Sequence, residues 1–209
     1  MKEYHKIETL YDRDEKTHKV IVGKWRIPEF GYLYNNSWLF TEKVDGTNVR
    51  VMWDGDVLRF GGRTDNAQMP VPLLAELNSM FTPGQMAAVF PDASVLSPVC
   101  LYGEGYGKGI QKGGGNYKPD GVGFALFDVR VGNWWLKWAD VQDVGNKLTI
   151  TCVPVLGSGS LLDATGVVQA GIQSHWGSFP AEGLVLRPQV DLFTRQGERV
   201  IGKLKTRDF

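Results

Sequence analysis

The chain has little of what marks a secreted, metal-stapled or membrane-spanning protein. Its 209 residues include only two cysteines and three histidines. No Cys-x-x-Cys or Cys/His spacing is present, which excludes a disulfide scaffold and argues against structural zinc. Cys100 and Cys152 lie in apolar surroundings and read as two buried, reduced thiols. No apolar run approaches the roughly 20 residues needed to cross a bilayer, and Met1 to Glu15 is charged throughout, unlike a signal peptide. Lysines and arginines number 23 and so do aspartates and glutamates. That balance argues against an extended basic surface, so any nucleic-acid contact should be local. These absences lead to an expectation of a soluble, cytoplasmic protein with no membrane partner. The length suffices for a core without staples. With no repeat, low-complexity segment or linker, one domain over residues 1–209 is expected.

What the chain does have is concentrated first in Glu42-Lys43-Val44-Asp45-Gly46-Thr47-Asn48, which follows the apolar run Trp38-Leu39-Phe40. A strand that delivers one lysine into a glycine turn, with a carboxylate two residues on, has the layout of a nucleophile. A lysine amine attacks phosphorus only once it has lost its proton, so such a lysine needs burial or neighbouring positive charge. Gly46 lets the backbone approach closely, and turn amides can donate to phosphate oxygens. By itself the heptapeptide also reads as a strand end with an exposed lysine and an Asx-type turn.

Around it the pattern is one of strands with a few short helices. Val20 to Trp25 and Trp38 to Lys43 read as strands, and Val49 to Trp53 pairs with Val57 to Phe60 across Asp54-Gly55-Asp56. Pro72 to Phe81 and Pro83 to Phe90 have helical spacing with proline near each start. Val99 to Glu104 and Gly123 to Val131 return to strand. A turn at Gly132-Asn133 leads into Trp134 to Trp138, and Ala139 to Lys147 reads as a helix. Thr149 to Val155 reads as a strand, Ser160 to Ile172 as a helix, and Gly183 to Leu186 and Arg199 to Lys205 as strands. The mixture predicts an α+β fold of antiparallel β-sheets flanked by short helices.

Gly103 to Gly115 holds seven glycines but is neither a Walker loop nor a dinucleotide fingerprint, because the required spacings are missing. A mobile surface loop is the plainer expectation for those glycines. Glu104 differs, since it ends an apolar strand where a carboxylate can bind a ribose hydroxyl. Phe127-Asp128 closes another strand, Glu182-Gly183 opens one, and alternation turns Lys203 and Lys205 to one face. Taken singly, Phe127 reads as core, Glu182 as solvated and the lysine pair as a solvated face.

Their order together resembles the motif set of the covalent nucleotidyltransferase superfamily, the polynucleotide ligases and mRNA capping enzymes. The elements are Lys43-x-Asp45-Gly46, Gly62-Arg63-Thr64, Tyr102-Gly103-Glu104, Phe127-Asp128, Glu182-Gly183 and Lys203-x-Lys205. Asn48, the stretch Gly103 to Lys112, and Pro154 to Ser160 look most similar to the RNA ligase 2 family of bacteriophages. The resemblance implies an adenylyltransferase domain of ATP-grasp-like ligase architecture, without the C-terminal OB or RNA-binding domain that such enzymes add. It implies an ATP-dependent RNA ligase using Mg²⁺ or Mn²⁺, with Lys43 as nucleophile forming a lysyl-AMP. Phe127 would stack on adenine, Glu104 hold the ribose and Glu42 lie at the base edge. Lys203 and Lys205 would clamp the phosphates, and Arg63 and Asn48 would contact phosphate. Glu182 would bind the metal, with Asp128 and Asp45 in support, and Arg187 stands where the family often has lysine. The implied partner is RNA with 5′-phosphate and 3′-hydroxyl ends, a nicked duplex being favoured, and a separate RNA-binding subunit would supply any missing grip. A DNA ligase, a capping-type guanylyltransferase and a non-catalytic module that binds ATP or RNA ends are the alternatives.

Overall fold

A computed structural model describes residues 2–209. In chain order it runs through β1 (Glu8–Thr9), β2 (Tyr11–Arg13), β3 (Val20–Trp25), α1 (Pro28–Leu33) and β4 (Trp38–Glu42). Next come β5 (Thr47–Trp53), β6 (Leu58–Gly61), α2 (Val71–Met80), α3 (Pro83–Val89) and β7 (Val99–Gly107). They are followed by α4 (Gly114–Tyr117), β8 (Val122–Val131), β9 (Trp134–Trp135), α5 (Trp138–Leu148) and β10 (Thr151–Cys152). The chain closes with β11 (Val155–Gly159), α6 (Leu161–Ala170), β12 (Gly183–Pro188), β13 (Gly202–Lys205) and a 3-10 turn, Thr206–Asp208. Sheets of mostly antiparallel strands with a few helices make this the expected α+β class. No helix among the described residues is long and apolar enough to cross a membrane.

The chain divides into two compact units, one of residues 2–4 with Asp45–Val153, the other of His5–Val44 with Pro154–Phe209. The second unit carries a five-stranded sheet in the order β1-β13-β12-β4-β11. Alternation sends Trp38 and Phe40 of β4, Leu184 and Leu186 of β12 and Leu204 of β13 into one core with Leu161, Ala164 and Val168 of α6. Helix α6 starts on a capping box in which Ser160 and Asp163 exchange hydrogen bonds, satisfying amides that the first turn leaves open.

The other unit carries a six-stranded sheet, β10-β8-β7-β5-β6 with β9 on β8. Val49, Val51, Leu101, Phe124 and Leu126 face its core, against Leu73 and Leu77 of α2 and Val141, Val144 and Leu148 of α5. The spacing of the last three is that of one helical stripe. The β5–β6 hairpin forms as its Asp-Gly turn predicts, with Asp54 Oδ1 accepting from the amides of Asp56 and Val57 at 3.2 and 2.8 Å.

Three expectations need correction. Thr149 to Val155 is not one strand: Thr149 takes a left-handed conformation that ends α5, β10 keeps only Thr151–Cys152, and Pro154, without an N–H, stands where the chain changes unit. The glycines from Gly103 are not a loop at first, because β7 runs to Gly107. A Cβ at Gly103 would lie 2.2 Å from the Phe124 ring, so this glycine exists to admit a core aromatic. Of the two free cysteines, Cys100 is buried but Cys152 only half-buried. Burial pushes the Cys100 thiol up to about 11.

Candidate active site

In the five-stranded unit, β4 ends at Glu42, and Lys43 follows with its amide donating to Gly183 O at 2.9 Å. Lys43 Nζ reaches Glu182 Oε2 at 2.5 Å, and Lys205 Nζ reaches Oε1 of the same carboxylate at 2.6 Å. The juxtaposition follows from register, since Gly183 pairs with Lys205 and Leu184 with Glu42. Gly183 makes the approach physically allowable. Its φ of +154° suits glycine, and a Cβ there would lie 2.0 Å from Leu204 O. Lys203 shares the face of Lys205, as the alternation predicts, and is half-buried.

The charges act on one another. Burial alone would raise the Glu182 carboxyl, but Lys43 and Lys205 outweigh it and hold the group below its ordinary value. Burial, then the cations of Lys205 and Lys43, push the Lys203 ammonium down. Two lysines on one carboxylate, with the ammonium of Lys203 close enough to feel both, leave positive charge suited to a polyphosphate.

Glu42 behaves differently from its neighbour. It is 1% exposed, and alternation places it on the side of Trp38 and Phe40. Its carboxylate accepts from Ser174 Oγ at 2.5 Å and from the His175 amide at 2.9 Å. Trp176 N–H donates to that same Oγ at 3.1 Å. Arg187, on β12, is buried.

The six-stranded unit brings Asn48, Glu104, Phe127 and Asp128 together on the sheet face opposite its core. Asn48 of β5 lies directly across from Glu104 of β7. Asn48 Oδ1 is buried with no hydrogen-bond partner among the described residues, a deficit that a ligand donor would meet. A β-bulge interrupts the β7–β8 register, so that Tyr102 pairs with Asp128 while Gly103 pairs with Leu126. Strict alternation would send Phe127 and Asp128 to opposite faces. Instead Leu126 and Val129 both enter the core and the two residues between them share the other face. Asp128 is 0% exposed, and its Oδ2 accepts from Tyr4 Oη at 2.8 Å. Arg63 is exposed on the turn after β6. That turn is held by Arg50, which donates from Nε to Gly62 O and pairs with Asp65, both at 2.7 Å.

Gly46 has a closer purpose than phosphate access. A Cβ there would lie 2.2 Å from Gly105 O of β7, so the glycine lets the turn pack on the strand that carries Glu104. Asp45 is half-buried, and its backbone amide donates to the Tyr117 hydroxyl oxygen at 3.2 Å. Sequence reasoning missed Tyr4, Ser174 and His175. Tyr4 and Asp128 are 124 positions apart, and no local pattern joins them.

Comparison with known proteins now bears on these arrangements. Residues 36–205 match the family model described as RNA ligase. No curated protein matches the chain. Among solved structures, a variant of Naegleria gruberi RNA ligase with ATP and manganese is similar, with 20% identity, a TM-score of 0.68, and coverage of 98% of this chain and 62% of that one. Naegleria gruberi RNA ligase with pyrophosphate gives 21%, 0.66, 96% and 59%, and a variant with AMP and manganese gives 18%, 0.66, 86% and 52%. This chain thus spans between half and two thirds of the length of those structures.

Proposed function

Because the chain belongs to the RNA ligase family over residues 36–205, we propose that it is an ATP-dependent RNA ligase whose covalent carrier is Lys43. The observation that carries this reading is the sharing of one carboxylate, Glu182, by Lys43 and Lys205, which come from the ends of the two strands flanking β12. A solvated lysine has no need of so buried an arrangement. The Naegleria structures hold ATP, AMP, pyrophosphate and manganese, which supports the choice of nucleotide.

In the proposed reaction the Lys43 amine attacks the α-phosphorus of ATP. A P–N bond forms, the bond from the α-phosphorus to the bridging oxygen breaks, and pyrophosphate leaves with that electron pair. AMP then passes to an RNA 5′-phosphate and is expelled when a 3′-hydroxyl attacks. Lys203 and Lys205 neutralise charge that grows on the phosphoryl oxygens. Before attack Lys43 must leave Glu182 and give up its proton. Lys205 bonds the other oxygen of that carboxylate, which keeps Glu182 in place as Lys43 departs. Phe127, Glu104 and Asn48 share one sheet face and serve the base, ribose and phosphates. Arg63 serves the RNA phosphate.

A divalent ion would supply charge neutralisation on the phosphates. No three metal-ligating side chains gather among the described residues, but magnesium usually keeps its water and takes one or two carboxylates. Glu182, partly exposed, fits that demand. Asp128 in this arrangement does not, being buried and engaged by Tyr4.

The test is the sealing of a nicked duplex whose 3′-hydroxyl strand is RNA. We expect sealing that depends on ATP and exceeds that of an all-DNA nick. Equal or better sealing of the DNA nick would assign the chain to DNA joining, and adenylate formation without any sealing would remove the joining step.

A further inference from the structure

The segment at residues 2–4 packs on the Phe127 face of the six-stranded sheet. Tyr4 is 6% exposed, with its ring edge-on to Phe127 at a centroid distance of 5.0 Å and to Trp135 at 5.7 Å, and tilted on Tyr102 at 5.1 Å. Its hydroxyl donates to the buried Asp128 carboxylate. The neighbouring residues are tied down as well. Tyr102 Oη donates to Lys2 O at 2.8 Å, and the Asp65 amide donates to Glu3 Oε1 at 3.3 Å. Asp65 in turn holds Arg50, which fixes the turn bearing Arg63. Three consecutive residues therefore connect the strand of Phe127, the strand of Glu104 and the Arg63 turn.

We propose that Tyr4 is a positioning residue of the nucleotide site, holding Phe127 and Asp128 in the orientation that a bound purine requires. The physical need arises from the bulge. It brings Phe127 onto the ligand face outside the regular ladder. A stacking platform that must be ordered on binding weakens the ligand. The Tyr4 edge, 5.0 Å from the Phe127 ring, is one of the contacts that order it beforehand. Its hydroxyl meanwhile donates to one oxygen of a carboxylate with no solvent exposure, which helps to keep the two bulge residues together.

The proposal rests on the reading that Phe127 receives the base, and the test separates the two. Equilibrium binding of ATP is measured in a Lys43→Ala background, where no covalent step occurs, with and without Tyr4 variants. Adding Tyr4→Ala should raise the Kd by about tenfold, the scale of losing one preordered aromatic partner. Tyr4→Phe, which keeps the ring, should recover most of that loss. In the otherwise native chain the same Tyr4→Ala change should raise the ATP KM by about tenfold and leave the adenylation rate at saturation within about threefold. Should Tyr4→Ala not fold, Tyr4→Leu, which keeps bulk without an aromatic edge, is judged by the same Kd criterion. An unchanged Kd in a folded variant, or Tyr4→Phe no better than Tyr4→Ala, overturns the proposal. ATP binding that shifts as expected in a chain that never forms an adenylate would preserve the role of Tyr4 and remove the ligase reading. No ATP binding to any variant would remove both.

Discussion

Lys43 and Glu182 are 139 residues apart in the chain, yet their charged groups lie 2.5 Å apart because Lys43 N donates to Gly183 O and β12 pairs with β4. The position of Lys43 is thus set by backbone register more than by the length of its own side chain. Glu182 takes Lys205 on its other oxygen, so one carboxylate fixes both the proposed attacking group and a proposed phosphate-binding cation.

That arrangement predicts the effect of removing either lysine of the pair on β13. Lys203→Ala and Lys205→Ala should each slow single-turnover adenylation by about 10²–10³, the usual loss of one preorganised donor to developing charge. The loss should persist at saturating ATP and Mg²⁺. Near-native rates for both would show that these lysines form only a solvated face.

Glu182 should also leave a mark on stability. Its folded carboxyl lies below its unfolded value, so its contribution is complete above the ordinary carboxylate value of about 4.3 and is lost as pH falls through the depressed folded value. The difference in Tm between the native protein and Glu182→Gln should therefore be constant from neutral pH to about pH 5 and narrow below about pH 4. A difference that stays constant down to pH 2 would contradict the charge coupling.

Ser174 tests the role of Glu42. Ser174→Ala removes a donor from a carboxylate with almost no solvent access and should cost about 1–3 kcal/mol in denaturant unfolding. A change within about 0.5 kcal/mol, as at an ordinary surface site, would mean that the contact contributes nothing. The resemblance would put Glu42 at the base edge, but both its oxygens already have donors. Its contribution in this arrangement is to anchor the Ser174–Trp176 turn beside Lys43.

The stretches that hold Lys43, Glu182 and Lys205 stand out in the sequence because they lie at strand ends, where period and punctuation are strong. Lys203 and Lys205 share a face as their spacing requires, and the Asp54-Gly55 turn formed where expected. Glycine was harder to read. At Gly46, Gly103 and Gly183 the missing Cβ serves close approach of the chain to Gly105 O, the Phe124 ring and Leu204 O respectively, contacts that no local pattern specifies. The common face of Phe127 and Asp128 depends on a bulge opposite Tyr102 and Gly103, which is a property of pairing that the sequence does not show. Tyr4 meets Asp128 across 124 residues and Ser174 meets Glu42 across 132, so no local pattern announces either pairing.

The central claim is that Lys43 becomes covalently bound to AMP. Intact-mass analysis of the native chain after incubation with ATP and Mg²⁺ tests it most directly, with GTP and Lys43→Ala run in parallel. The account predicts one adenylate on the native chain, none from GTP, and none on a folded Lys43→Ala. An unmodified native chain, or an equal adenylate on Lys43→Ala, would contradict it.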